Sequence, residues 1–450
     1  MDWYPNLGKG CCPVMKKIIK IIALFAVVCI IVSLCGCESL ITTPENLLSP
    51  PALTGDMRPI NEALSKSVSQ EYNLVYPSIG DIRSPIALCD VDGDGVKEAF
   101  AFYSTDNGES TDMHINYISK TKDGWRSVAD NVITAGGIEK IVFCDISGDG
   151  QKEILVGWEV YGTTEKKLGI YSVLDGQLYE RLMEQYTTFV CCDILEDGKD
   201  ALVLQYLNTE KATNTASVYT LHTTGINRAA GCVLDGKVKS VAEPTVSKLS
   251  NGKTAVYFDE EKGAGSITEV LYIKNGELVN PLLDKELGEN IVTQRGTNTY
   301  CTDINEDSLI EIPTSTEAPG ADKTNEKFYF TNWCSFDGET LEVKLITIIN
   351  QTDGYYLVIP MSLTDKIAIS RDIDARERTI YEYNAETGTV GRKMFSITAV
   401  SPAKYDKYTK EHRSAQVVYE DEQTVFAAEI FSAGAKLTMY DIKEMFNILP

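Results

Sequence analysis

A short acidic loop returns at a regular interval and constrains this chain more than any other feature. Its clearest copy is Asp90-Val-Asp92-Gly-Asp94-Gly-Val96-Lys-Glu98, and the second is Asp145-Ile-Ser147-Gly-Asp149-Gly-Gln151-Lys-Glu153. A third is Asp303-Ile-Asn305-Glu-Asp307-Ser-Leu309-Ile-Glu311. Side-chain oxygens stand at positions 1, 3, 5 and 9, with the carbonyl of Val96, Gln151 or Leu309 at position 7. Such a set suits a hard cation, and the glycines let the chain turn back so that the oxygens converge. Asp-Gly clusters also form tight turns without metal, and that reading stays open at each loop.

The spacing speaks to architecture. Loops start at Asp90, Asp145, Asp193 and Asp303, with gaps of 55, 48 and 110, so a degenerate copy is expected near 248. Lys248-Leu-Ser-Asn251-Gly252-Lys253-Thr-Ala-Val-Tyr257 stands there, with the turn kept and the acids lost. A second turn follows each loop by 27 to 42 residues, at Asp123-Gly124, Asp175-Gly176, Asp235-Gly236, Asn275-Gly276 and Asp337-Gly338. Such dipeptides between apolar runs mark β-hairpins. β-rich runs at Ala99–Tyr103, Ile154–Trp158, Ala201–Tyr206 and Thr254–Phe258 follow the loops. Each repeat then holds about four short strands, as a propeller blade does. The fold class expected is mainly β. It is a propeller of about five recognisable blades over 57–350, or up to seven if residues 351–450 hold two eroded ones. The other reading of 351–450 is a small α+β domain. Asp353-Gly354 reads as a sixth loop stripped of ligands, with Thr387-Gly388 as its later turn. Thr438 is read as a cap for a C-terminal helix with Ile442, Met445, Phe446 and Leu449 on one face. A short helix with Ile60, Ala63, Leu64 and Val68 on one face is expected before the first repeat.

Lys16, Lys17 and Lys20 precede an apolar or small stretch from Ile21 to Leu34, which is short for a membrane span and fits a signal peptide. It ends in Leu34-Cys35-Gly36-Cys37, which resembles the lipobox of bacterial lipoproteins. That resemblance implies residues 1–37 as signal peptide, Met15 as the start, Cys37 as the lipidated residue and residues 38–56 as a tether. It places the protein on the extracytoplasmic face of the cell membrane. The alternative is an uncleaved single-span anchor. The formal charge is −23. Residues 1–37 hold four lysines and one aspartate, so the remainder holds 38 basic and 64 acidic residues, a net −26. This argues against nucleic acid as a partner. Of the cysteines beyond the signal segment, Cys89, Cys144 and Cys192 each precede the first Asp of a loop. This predicts a repeated buried environment in which Cys acts as a small hydrophobe, without bridges between repeats.

The acidic loops resemble the FG-GAP repeats of integrin α-chain propellers and the related bacterial VCBS repeats. That resemblance implies Ca²⁺ held between two strands of a blade. The ligands carried over are Asp90, Asp92, Asp94, the Val96 carbonyl and Glu98; Asp145, Ser147, Asp149, the Gln151 carbonyl and Glu153; and Asp303, Asn305, Asp307, the Leu309 carbonyl and Glu311. Position 9 is Glu rather than Asp, Ser147 is a weaker ligand, and Ser308 replaces the usual Gly. The loop from Asp193 has Leu195 at position 3 and Ala201 at position 9, and is expected to bind nothing. An EF-hand does not fit, because position 12 of the first loop is Ala101 and a strand follows. The stretch 47–54 with Tyr76-Pro77 and Arg83-Ser84 is similar to lipoproteins of Firmicutes, which implies no activity.

Nothing in the sequence forms a recognisable catalytic set. His114, His222 and His412 have no close acidic or nucleophilic partner in a known pattern, and Gly-x-Ser-x-Gly and His-Glu-x-x-His are absent. The tyrosines Tyr355, Tyr356, Tyr381, Tyr383, Tyr405 and Tyr408 read as alternate-strand packing or a binding surface. The function expected is a lipid-anchored binding or scaffold protein. Its calcium-stabilised propeller would present a face to a protein or glycan partner. The alternative is an envelope hydrolase or lyase acting on carbohydrate or lipid through carboxylates.

Overall fold

The computed structural model describes residues 57–106, 111–222, 225–321, 326–431 and 437–449. The signal segment, Cys37 and the tether lie outside the described residues. Helix α1, Met57–Ser67, buries Ile60, Ala63 and Leu64, the face its apolar spacing predicts.

Six antiparallel sheets then follow one another along the chain. The first has β1 (Asn73–Leu74), β2 (Ile86–Cys89), β3 (Glu98–Asp106), β4 (Thr111–Thr121) and β5 (Gly124–Thr134), with β1 and β2 sharing one edge of β3. The second is β6 (Gly137–Cys144), β7 (Glu153–Glu159), β8 (Lys166–Leu174) and β9 (Gln177–Tyr186). The third is β10 (Thr188–Cys192), β11 (Ala201–Asn208), β12 (Thr213–His222) and β13 (Gly225–Leu234). The fourth holds β14 (Ser240–Val241), β15 (Thr245–Lys248), β16 (Thr254–Lys262), β17 (Gly265–Lys274) and β18 (Glu277–Val279). The fifth contains β19 (Ile312–Ala318), β20 (Phe328–Phe336), β21 (Leu341–Asn350) and β22 (Tyr355–Val358). The sixth has β23 (Ile367–Asp372), β24 (Glu377–Asn384) and β25 (Thr389–Val400), then β26 (Gln416–Glu420) and β27 (Val425–Ile430), with β27 between β25 and β26. Helix α2, Pro402–Glu411, links β25 to β26, and α3, Met439–Met445, leads into β28 (Phe446–Ile448), which returns to the edge of the fifth sheet beside β22.

This succession of up-and-down sheets is a β-propeller. Its core is a series of layers between consecutive sheets. The strand period of two decides which layer each residue joins. On β7, Ile154, Val156 and Trp158 pack toward the first sheet, while Leu155 packs toward the third. On β11, Leu202 and Leu204 face the second sheet, and Ala201 and Val203 the fourth. On β16, Val256 and Phe258 face the third, and Ala255 and Tyr257 the fifth. Strands buried on both faces read as unbroken apolar runs, as these do. The largest layer joins the fifth and sixth sheets and takes in Ile442, Met445 and Phe446 from the C-terminus.

Four expectations are corrected. Asp235-Gly236 is not a hairpin turn: β13 ends at Leu234, and the Asp235 side chain is buried against Lys262 Nζ at 2.6 Å. A side chain at Gly236 would collide with the Ala212 carbonyl. Asp353-Gly354 is the turn between β21 and β22 rather than a loop opening another sheet. There Asp353 takes Asn350 Nδ2 at 2.8 Å and Arg376 Nε at 2.7 Å. The last helix stops at Met445, because Phe446 enters β28 opposite Leu357 and stacks on Tyr355 with ring centroids 5.1 Å apart. Tyr405 and Tyr408 lie on α2, not on a strand. The other Asp-Gly and Asn-Gly turns do join hairpin strands, and Asn275 and Gly276 have φ of 54° and 81°, as a primed turn requires.

Candidate metal centre and a polar cavity

Three of the four acidic loops connect the edge strand that precedes them to the strand it pairs with. The first lies between β2 and β3, the second between β6 and β7, and the loop from Asp193 between β10 and β11. The Asp303 loop runs into β19, with Thr302 and Glu311 bridged across its base. Position 1 organises every copy by accepting at least two backbone N–H groups. Asp90 takes Gly93 at 2.8 Å and Gly95 at 3.0 Å, and Asp145 takes Gly148 at 2.6 Å and Gly150 at 2.8 Å. Asp193 takes Asp197 at 3.0 Å and Gly198 at 3.1 Å. Asp303 takes Asp307 at 3.0 Å and Ser308 at 2.8 Å. Position 5 then accepts the N–H of position 7, as Asp94 does from Val96 at 2.7 Å and Asp149 from Gln151 at 2.9 Å.

The glutamates at position 9 explain the departure from aspartate. The longer side chain reaches back across the loop to the N–H of position 2. Val91 donates to Glu98 at 3.1 Å, Ile146 to Glu153 at 3.1 Å and Ile304 to Glu311 at 3.2 Å. All three carboxyls are buried. Burial, reinforced by the neighbouring aspartates, raises each above the ordinary carboxylate range, Glu153 to about 7. These are carboxyls buried beside aspartates, a position in which a cation would favour the charged form.

The first loop alone brings three acidic groups together. Ligand oxygens of Asp90, Asp92 and Glu98 lie within 4.8 Å of one another, the one such group among the described residues. Asp94 stands outside that trio. The residues fit Ca²⁺, since every donor is oxygen and the trio can be completed by the Val96 carbonyl and water. Asp145, Asp149 and Glu153 do not converge to the same degree, and Ser147 spends its hydroxyl on Asp145 Oδ1 at 3.1 Å. In the Asp303 loop, Asn305 turns its amide nitrogen toward Asp307 Oδ2 and Glu311 Oε1, both at 3.1 Å, where a cation ligand would present oxygen.

The cysteines beside the loops are buried and unbridged, Cys89, Cys144 and Cys192 alike. Cys144 is not a simple hydrophobe: the Cys191 thiol beside it and its burial push it far above the usual thiol range.

Two histidines gain acidic partners that the sequence did not reveal. His114 is buried, with Nδ1 at 2.9 Å from Asp130 Oδ2 and Nε2 at 2.9 Å from Thr105 Oγ1. Both ring nitrogens are used, so it belongs to the core. His412 follows α2, and its Nδ1 lies 3.0 Å from Glu429 Oε2 on β27. Nothing in the local sequence signals this pair, because the folded sheet brings the two positions together. His412 and Tyr408 stack with centroids 4.3 Å apart, at the i, i+4 spacing of a helix face. They line a cavity of about 910 Å³ between α2 and the sixth sheet. Glu377 and Thr398 also line it, and Thr398 is bonded to both Tyr408 and Glu377, at 3.1 and 3.4 Å.

No family model and no curated protein matches the chain. Among solved structures, it is similar to a periplasmic gluconolactonase of Pseudomonas aeruginosa at 11% identity and a TM-score of 0.29, covering 71% of this chain and 86% of that one. A rhamnogalacturonan lyase of Bacillus licheniformis aligns at 10% identity and a TM-score of 0.30, over 73% of this chain and 82% of that one. The Dos1 propeller aligns at 10% identity and a TM-score of 0.28, over 67% and 66%. Likeness at this level assigns neither activity nor ligand.

Proposed function

We propose that this chain is a non-enzymatic binding protein, held at the extracytoplasmic face of the cell membrane through lipid on Cys37. Its propeller takes Ca²⁺ at the β2–β3 loop and presents a face to a protein or glycan partner. The observation that carries the cation reading is the convergence of Asp90, Asp92 and the buried Glu98, with no basic side chain among the described residues bonded to any of them. Asp90 shapes the loop, Asp92 and Glu98 supply charge, and the Val96 carbonyl completes the set. Bound calcium would neutralise charge and so stabilise the fold; it enters no reaction.

Calorimetry and thermal melting with calcium test this reading. Extracellular calcium modules bind at roughly 0.1–1 mM. At about ten times Kd, one site contributes ~1.4 kcal/mol by mass action. The melting temperature should rise with calcium and fall back on chelation. Asp92→Ala should blunt the response, whereas Asp197→Ala, in a loop without acids at positions 3 and 9, should leave it intact. Equal responses from the two variants, or no heat of binding, would leave the loops as turns. For the anchor, Cys37→Ser should release the protein to the soluble fraction or leave it unprocessed; unchanged processing and retention would refute lipidation.

A further inference from the structure

Two thiols meet in the layer between the second and third sheets. Cys144 ends β6, and Cys191 and Cys192 end β10. The strand period of two sends the last two side chains of β10 to opposite faces. Cys191, opposite Leu202, packs in the layer that holds Cys144, whereas Cys192, opposite Ala201, packs toward the fourth sheet. The register shows why such a meeting occurs here. Cys89, Cys144, Cys192 and Lys248 hold equivalent places in their sheets, paired with Glu98, Glu153, Ala201 and Thr254. Between the first and second sheets, Cys89 shares its layer with Phe143, the residue before Cys144. Between the second and third, Cys144 shares its layer with Cys191, the residue before Cys192. In the fourth sheet the matching residue, before Lys248, is Ser247. Of these three places, the middle one alone puts a thiol on each side.

The surroundings decide what this pair can do. Cys144 is 5% exposed and donates its Sγ–H to Asp200 Oδ2 at 3.4 Å. Cys191 is half-buried. Both thiols and Asp200 line a cavity of about 610 Å³, within the roughly 300–1,000 Å³ of small-molecule sites. A metal is disfavoured. Cys144, Cys191 and Asp200 do not converge as Asp90, Asp92 and Glu98 do, the one such group among the described residues. Zinc sites also take three or four close protein ligands. A bond between the adjacent Cys191 and Cys192 is disfavoured too, because their side chains face opposite layers. A bond between Cys144 and Cys191 needs only two sulfurs that already lie side by side.

We infer that Cys144 and Cys191 form a redox-modifiable site, at which a small-molecule disulfide drives a bond joining the second and third sheets. Cys191, the more exposed thiol, attacks the reagent. A mixed disulfide forms on Cys191, and its proton leaves with the first reagent thiol. Cys144 then attacks Cys191 Sγ. Asp200 takes the Cys144 proton and passes it to the second reagent thiolate as the mixed disulfide breaks. The two protein thiols lose two electrons and two protons, and the reagent disulfide gains them as two thiols. The site depends on neither calcium nor the lipid anchor.

The test is peptide mapping of the reduced, folded full chain after incubation with glutathione disulfide. Acid quenching, denaturation, alkylation of the remaining thiols and tryptic digestion follow. Peptides 141–152 and 182–199 should appear joined, two hydrogens below their summed mass, with one alkylated cysteine left on the second. Dithiothreitol should separate them. Cys192→Ala should keep the link, and Cys191→Ala should abolish it. The oxidised chain should melt about 3–5 °C above the reduced one, because the bond restricts the unfolded state. Cys191→Ala should remove that difference, and Cys192→Ala should retain it. Free thiols at both positions, reaction that stops at a glutathione adduct on Cys191, or a link that survives Cys191→Ala would overturn the inference. So would an oxidised chain that melts no higher than the reduced one.

Discussion

Glu260 and Glu269 sit on β16 and β17 with no exposed surface. Glu260 Oε1 accepts from Gln205 and from Asn214 at 2.9 Å, while its Oε2 has no partner. Glu269 accepts from Asp235 N at 2.8 Å, Asn280 at 2.8 Å and Asn290 at 3.2 Å. Burial raises both above the usual carboxylate value of 4.5, Glu260 strongly and Glu269 to about 7. The folded state therefore holds more protons than the unfolded chain. This contribution to stability is full below pH 4.5 and is lost as the pH rises through the folded values. Glu260→Gln keeps an oxygen for Gln205 and Asn214 and cannot ionise. It should leave stability at acid pH nearly unchanged, raise it by roughly 1–3 kcal/mol above neutrality, and flatten the pH slope of the melting temperature. An unchanged slope in chemical denaturation would show that these carboxyls do not titrate with folding. Ser308 carries a second residue-scale consequence. It adopts φ of 70° where the first two loops have Gly95 and Gly150. Ser308→Gly should stabilise the fold by about 0.5–1 kcal/mol, the left-handed penalty less the added freedom of the unfolded chain; equilibrium denaturation measures it.

The loop is an element whose backbone outlasts its chemistry. Glu196 and Glu306 have φ of 58° and 61°, matching Gly93 and Gly148 at 76° and 68°. The position-1 aspartate and its two N–H contacts suffice to hold the turn. A loop that binds cation and one that only turns are therefore alike in backbone, and differ in whether side-chain oxygens meet. The C-terminal helix α3 shows local chemistry working as read. Thr438 Oγ1 accepts from Asp441 N at 3.3 Å, and Asp441 Oδ2 accepts from Thr438 N at 2.7 Å, a reciprocal cap. Thr438→Ala should cost about 1 kcal/mol, measurable by denaturation. An effect near zero would mean that α3 is held by Ile442 and Met445 packing alone.

At the scale of the molecule, the layers depend on their neighbours. Phe328, Phe330 and Ile348 of the fifth sheet pack with Ile369, Phe395 and Phe426 of the sixth. β22 and β28 extend the fifth sheet, so residues beyond Asn350 complete it. A chain ended at Asn350 should expose those faces, bind a hydrophobic dye, and lose the cooperative melt of the full chain. A truncated chain melting as sharply as the parent would show the first five sheets to be self-sufficient.

The β-repeat, four of its five hairpin turns and the β-rich apolar runs of β7, β11 and β16 were legible in the sequence, because turn residues and strand-length apolar runs act over a few residues. The oxygen pattern of the loops was legible for the same reason. Which oxygens meet was not: Asn305 turns its amide inward, and Asp94 stands apart from Asp90, Asp92 and Glu98, through contacts no spacing encodes. Asp235, read as a turn, became a buried carboxylate because Lys262 arrives from the next sheet. The His412–Glu429 pair and the cavity it lines exist only once α2 lies against β25. Local periodicity and turn chemistry determined what the segments are. Packing between sheets, which joins residues far apart in the chain, decided which charges face one another.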